Sequence, residues 1–407
     1  MPDVAFVNLL AVCVLALLAP LTLGFAPALR LPSVVLEIIA GVVVGPQVLG
    51  WVRVDLPVSI VALLGLAFLL FLAGLEIDVH QLRGRVLRLA LAGYAVTLVL
   101  GTAAGVVLAA VGWVSSPGLV AVALSATSLG LVVPVLKDAG QIDSRLGQSI
   151  VAAASVADFG AIVLLSLLFS TSDASTGSRV VLLGSFAALV AATAVTVSFV
   201  ARSKRLEKTL TRLQDTTAQI RVRAAVVLLV AFVALAEQFG LESILGAFMA
   251  GAVVGLVDRN SRSHPHFRVK LEALGYGFLI PVFFVTSGLR LDLSGLVEHP
   301  SALVRVPVLA LGLLAVRGLP ALLLGRVFDR RSVLAAGLLQ ATSLPFIVTA
   351  TQIGVLTGLL SGTTAAAMVC AGLLSVILFP AGALALLRTP QRRSSRKAWS
   401  QVPARTP

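Results

Sequence analysis

Few ionisable side chains fall deep inside the apolar segments of this chain. One of them, Asp158 in "SVADFG", falls at the centre of its segment. A carboxylate at that depth is costly to bury, and such groups mark ion or proton pathways by default. A single carboxylate can hold a proton or a cation but not both, so competition for it can couple two fluxes. The other deep charge is Arg317, in "LAVRGLP". A guanidinium does not deprotonate in a protein. Arg317 is therefore assigned to balancing charge on Asp158 or on nearby helix ends, not to carrying the proton. The structural alternative is a salt bridge between the two that only ties helices together. Glu37 and Glu76 fall near segment ends, and Glu237 and Glu242 flank a loop. These four are assigned interfacial or structural roles.

Hydroxyl pairs supply the second chemical signal. "ATSL" occurs at 126–129 and again at 341–344, both times inside an apolar segment. Gly130 and Pro134 follow the first copy, and Pro345 follows the second directly. Glycine and proline loosen the helical hydrogen-bond ladder, and Thr and Ser can satisfy the freed backbone groups. Irregular backbone at membrane depth is tolerated only where it is buried or lines a cavity. Two such breaks brought together would offer half-helix ends and free carbonyls to an ion. Thr127, Ser128 and Ser155 join Asp158 as candidate ligands of a monovalent cation or proton. Thr342, Ser343, Pro345, Gly130 and Pro134 are candidates for the crossing of the broken helices. The alternative is that these hydroxyls bond back within intact helices.

The elements that must position these groups follow from composition. The chain has 407 residues, 58% of them hydrophobic and 12% charged, where soluble proteins carry about 25% charged residues. It is an integral membrane protein of all-α class. Thirteen apolar segments reach spanning length, from near 4–26 to near 359–387. The ATSL copies lie in those near 117–136 and 332–354, Asp158 in 146–170 and Arg317 in 302–325. The first lacks the basic start of a signal peptide and is read as a retained helix. With the N-terminus outside, 26 of the 31 Lys and Arg residues fall on the inner side, as the positive-inside rule requires. That placement explains the net charge of +13 without nucleic acid. Cys13 and Cys370 lie in apolar runs and read as buried small hydrophobes. The pair His264 and His266 is read as a loop feature, not a metal site. The loop near 202–221 is basic, and residues 389–407 are expected to form a disordered cytoplasmic tail. No cofactor is expected.

The chain also resembles itself. "AGVVVG" at 40–45 matches "AGAVVG" at 250–255, offset by 210, and "LGLAFLL" at 64–70 matches "LGYGFLI" at 274–280 with the same offset. "GLEID" at 74–78 matches "GLRLD" at 288–292, offset by 214; ATSL repeats at 215 and "AAASV" at 152–156 resembles "AAAMV" at 365–369, offset by 213. Five matches in order relate segments 2–6 to segments 9–13. The shift of seven segments is odd, so paired segments cross in opposite directions, which is the inverted-topology construction of many secondary transporters. Repeat 1 covers about 33–170, linker helices about 179–239, and repeat 2 about 241–387, within one transmembrane unit at 1–388. By offset the mate of Asp158 is Ala371, so the acid belongs to one half only.

The stretches "LPSVVLEIIAGVVVGPQVLGW", "LGLAFLLFLAGLEID", "SATSLGLVVPVLKDAG" and "GQSIVAAASVADFGAIVLL" resemble, in this order, the second cation/proton antiporter subfamily, the monovalent cation/proton antiporters. The resemblance covers roughly 30–388. It implies a core of six helices containing a crossed broken pair, a separate dimerisation domain and hence a homodimer, and an elevator-like movement of the core. Two positions depart from the pattern. Ala157 stands where many members carry a second acid or an Asn or Gln, and Arg317 stands where a Lys is common. One carboxylate implies exchange of one proton for one monovalent cation with no net charge moved.

The expectation is therefore a sodium/proton antiporter fold of about thirteen helices in a prokaryotic inner membrane, exchanging H⁺ for Na⁺ or K⁺, and no enzyme. An ion-coupled carrier of an organic solute would require a larger polar or aromatic cavity, and the chain has three Trp and two Tyr. A polytopic membrane enzyme would require a cluster of reactive side chains in a large loop. A channel is disfavoured by inverted repeats around a deep carboxylate.

Overall fold

The computed structural model of the protein describes residues 6–25, 32–76, 84–169, 176–201, 216, 218–259, 266–291, 296 and 300–387. The tail at 389–407, His264 and most of the basic loop at 202–221 lie outside them. The described residues contain helices and no strand. In chain order the helices are α1 (Val7–Phe25), α2 (Ser33–Val44), α3 (Leu56–Leu75), α4 (Gly84–Ala110), α5 (Pro117–Ser125), α6 (Leu129–Asp138), α7 (Arg145–Phe169) and α8 (Thr176–Ala201). There follow α9 (Ile220–Gln238), α10 (Ser243–Arg259), α11 (Phe267–Leu289), α12 (Arg305–Arg326), α13 (Arg330–Gln340), α14 (Pro345–Leu356) and α15 (Gly362–Leu387).

Every expected segment has a helix or a helix pair beneath it. Length and composition alone, however, qualify eight spans among the described residues, with α13 and α14 counted as one. Among the segments that do not qualify, α2 and α10 are short and α5–α6 is interrupted.

Local chemistry explains several boundaries. The Asp55 carboxylate accepts from the Val58 N–H at 3.1 Å and from the Asn8 amide at 2.9 Å, capping α3 and tying α1 to its start. Ser116 caps α5 ahead of Pro117, and Pro345 opens α14, the first-turn position where a missing N–H costs nothing.

The helices pack as two groups. One holds α1, α2, α3, α9, α10 and α11; the other holds α4–α7 and α12–α15; the two touch where α7 meets α10, and α8 packs on both of those helices. Within the first group, α3 packs on α10 and α2 on α11 through glycines. A Cβ on Gly74 would lie 2.0 Å from the Phe248 carbonyl oxygen, and one on Gly251 would lie 1.9 Å from that of Phe71. The same holds for Gly41 against Val285 and for Gly288 against Ile38, at 2.0 and 2.1 Å. Gly41 and Gly251 are related by the offset of 210, and Gly74 and Gly288 by 214.

These contacts set a stability prediction. Gly251→Ala must push backbone from backbone, and overpacking of this kind costs about 1–3 kcal/mol. Gly251→Val is expected to cost more. Gly184→Ala, where a Cβ meets open space, is expected to be neutral. Thermal unfolding of the detergent-solubilised protein checks the order.

Candidate functional site

The two ATSL copies meet. α5 ends at Ser125, the chain runs extended through Ala126 to Ser128, and α6 starts at Leu129. α13 ends at Gln340, and α14 starts at Pro345. Across the gap the Ser128 N–H donates to the Thr342 carbonyl at 2.8 Å, and the Thr127 hydroxyl donates to the Gln340 carbonyl at 2.6 Å. The two breaks thus satisfy one another's backbone, which buried irregular chain requires. The C-terminal ends of α5 and α13 and the N-terminal ends of α6 and α14 point into one region. Partial negative and positive charge of the helix dipoles is concentrated there.

Asp158, on α7, faces this crossing and is half-buried. Its two carboxylate oxygens accept from the Thr127 N–H at 3.1 Å and the Leu129 N–H at 3.4 Å. Both donors belong to the extended turn and first residue of α6, so the break exists in a form that serves the carboxylate. The corresponding place in the second half is neutral. There the Ser343 N–H donates to the Ser375 hydroxyl, which in turn donates to the Ser343 and Gly372 carbonyls.

Arg317 is 1% exposed. Its Nε donates to the Thr127 hydroxyl at 2.9 Å, a terminal nitrogen donates to the same oxygen, and the other reaches the Thr97 hydroxyl at 3.1 Å. Among the described residues it makes no ion pair with Asp158. The two face different spaces. Asp158 lines a cavity of about 60 Å³ with Glu76, Thr127, Ser128, Gly130 and Tyr276. Arg317 lines a smaller one, about 20 Å³, with Tyr94, Ser149 and Gln340. The salt-bridge alternative is therefore absent, and Arg317 meets Asp158 only through Thr127.

The structure brings Asp158, Thr127, Ser128, Gly130 and Pro345 to one cavity. Ser155 is buried one turn from Asp158 on α7 but does not line the cavity. Thr342 contributes its carbonyl, while its hydroxyl bonds back to Leu338. Ser343 contributes its backbone, and its hydroxyl is buried without a partner among the described residues. Gly130 and Pro134 do not form the break. Both lie inside α6. The helix starts at Leu129, where Asp158 takes the N–H groups of Thr127 and Leu129 and the Thr342 carbonyl takes that of Ser128.

Glu76, interfacial by its position in the sequence, does more than that. It caps the end of α3, with Arg268 at 3.5 Å, but it also lines the Asp158 cavity. Tyr276, Thr97 and Ser375 do not stand out in the sequence. The offset between the halves changes from 210 to 214 across α11. That change falls after residue 280, downstream of the bulge that carries Tyr276, so the repeat gives no signal of it. No cluster of His, Cys, Asp and Glu fit to hold a metal ion occurs among the described residues.

Residues 13–388 match the family described as "Sodium/hydrogen exchanger, transmembrane". The chain is 32% identical over 397 residues to YjbQ of Bacillus subtilis (strain 168), covering 93% of this chain and 63% of that protein. It is 27% identical to the Na⁺/H⁺-K⁺ antiporter GerN of Bacillus cereus, covering 86% of this chain and 88% of GerN. The fold is similar to that of the sodium proton antiporter MjNhaP1 from Methanocaldococcus jannaschii, with a TM-score of 0.65 and 18% identity, over 93% of this chain and 97% of MjNhaP1.

Proposed function

The chain belongs to the sodium/hydrogen exchanger family, and from that membership we propose that it exchanges protons for a monovalent cation, Na⁺ or K⁺, by alternating access. Asp158 takes the two in turn. The observation that carries this reading is a carboxylate held by two backbone N–H groups at a broken-helix crossing and open to a cavity. Those N–H groups fix the carboxylate at the crossing, with its oxygens turned to the cavity. The ionised group, with the oxygens around it, can then hold a hard cation. A proton and a cation at Asp158 exclude each other, which makes the exchange obligatory.

Thr127 and Ser128 are the neighbouring oxygen donors in this scheme. Arg317 acts on the site by fixing Thr127 and by offsetting the negative C-terminal ends of α5 and α13. Ala157 leaves Asp158 as the one acid at this position of α7, so the cycle moves one proton against one cation and no net charge. The glycine contacts of α3 with α10 and of α2 with α11 are related by the sequence offsets. They support two inverted repeats, about 33–170 and 241–387, joined by linker helices at about 179–239. A homodimer in a prokaryotic inner membrane, N-terminus outside and basic tail inside, completes the proposal.

Purified protein in liposomes with an imposed pH gradient tests it. Na⁺ or K⁺ is expected to collapse the gradient, with no transport current on a solid-supported membrane. A gradient that no monovalent cation dissipates would remove the proposal; a current in leak-free membranes would remove electroneutrality alone.

A further inference from the structure

The cavity at Asp158 lies between the two helix groups. Gly130 and Asp158 belong to one wall, Glu76 and Tyr276 to the other. Most of its polar atoms are engaged. The Thr127 hydroxyl is bound to Gln340 and Arg317, Glu76 pairs with Arg268, and Asp158 receives two N–H groups. The Tyr276 hydroxyl makes no hydrogen bond among the described residues, although the residue faces the cavity.

Its position follows from the backbone. Tyr276 lies on a π-bulge, Gly275–Leu279, inside α11, a feature that recurs at functional sites. Gly275 presses on Phe68 and Leu72 of α3, so a Cβ there would approach within 2.8 Å of Leu72. The bulge brings the phenol across to α6, where its oxygen would be 3.6 Å from a Cβ on Gly130. Gly130 is the residue after Leu129, whose N–H binds Asp158. A free neutral oxygen from the opposite wall therefore stands over the first turn of α6, in the cavity that Asp158 lines.

We propose that Tyr276 is a specificity-determining ligand of the transported ion: its hydroxyl oxygen enters the coordination shell of the monovalent cation at Asp158 from across the cavity. This rests on the exchange reading above. Hard cations take oxygen ligands, and the turn at Asp158 offers them from one side only. The phenol closes the shell from the other wall. It sets cation affinity and preference and takes no part in the proton step.

Tyr276→Phe keeps the ring and the bulge and removes only the oxygen. The loss of one contact to a charged group is expected to raise the apparent KM for the preferred cation about tenfold. The maximal rate is expected to stay within about twofold, and the ranking of Li⁺, Na⁺, K⁺ and Rb⁺ to compress. Cation binding to the purified protein, measured by calorimetry, is expected to weaken in parallel. A merely structural role would lower the rate or the melting temperature and leave the ranking alone. A Tyr276→Phe protein with wild-type KM and ranking overturns the assignment while leaving the exchange reading intact. A defect in Tyr276→Ala without one in Tyr276→Phe overturns it as well, in favour of aromatic bulk. A wild type that neither binds nor exchanges any of the four cations overturns both readings.

Discussion

Asp158→Asn is expected to abolish cation-dependent proton exchange in liposomes. Asparagine cannot carry the proton, so the proton half of the cycle is lost outright. The cation half is weakened by the loss of a full charge. Two unit charges 4 Å apart at an effective dielectric constant of 20 attract by about 4 kcal/mol, equivalent to about a thousandfold in affinity. The variant should nevertheless fold. The asparagine oxygen can still accept from Thr127 or Leu129, so about one hydrogen bond is forfeited, a cost of about 1 kcal/mol. A monodisperse protein with near-normal thermal stability and no exchange is the expected pair of results. A folded Asp158→Asn protein that exchanges at the wild-type rate would refute the assignment of Asp158.

The cation dependence should carry the same signature. If both ligands use one carboxylate, the apparent affinity for the cation in the wild type must fall as protons are added. In Asp158→Asn any residual cation affinity should be independent of pH. A wild-type affinity that does not vary with pH would exclude competition at a single group, even if exchange itself were observed.

The depth of Asp158 and the doubled ATSL are legible in the sequence because both depend on position along the chain. An acid at a segment centre is unusual whatever it touches, and an offset near 213 survives substitution of most residues around it. Side-chain direction is not legible. Depth alone pairs Arg317 with the charge of Asp158, but its guanidinium turns to Thr127 and Thr97 and faces another cavity. The reason is local. Leu314–Gly318 is a second π-bulge, and an extra residue in a turn rotates the side chains beyond it away from any regular helical projection. The same irregularity hides Tyr276. Gly130 and Pro134 mislead in the opposite sense. They read as breakers, yet the break lies upstream of them, where Asp158 takes the N–H groups of Thr127 and Leu129.

Arg317→Met is expected to be the most destabilising single change at the site. It replaces a buried cation with an apolar chain of similar length. It also removes the guanidinium from the Thr127 and Thr97 hydroxyls, both buried, which keep only their bonds to the Gln340 and Gly93 carbonyls. Contacts to a charged group contribute about 1.5–3 kcal/mol each, so losing those to the two threonines should cost about 3–5 kcal/mol. It also frees the link on which the Thr127 N–H depends, so the folded fraction should exchange poorly. Arg317→Lys separates charge from geometry. A lysine restores the positive charge at the α5 and α13 ends but lacks the planar fork that reaches both threonines. If charge alone mattered, Arg317→Lys would match wild type in melting temperature and in exchange. The three nitrogen contacts argue for an intermediate protein, more stable than Arg317→Met and with impaired exchange. Thr97→Val provides the control. It removes the contact that lies away from Asp158, and is expected to lower stability with little effect on cation affinity. Arg317→Met with wild-type stability and exchange would show that the guanidinium neither holds the crossing nor serves the carboxylate.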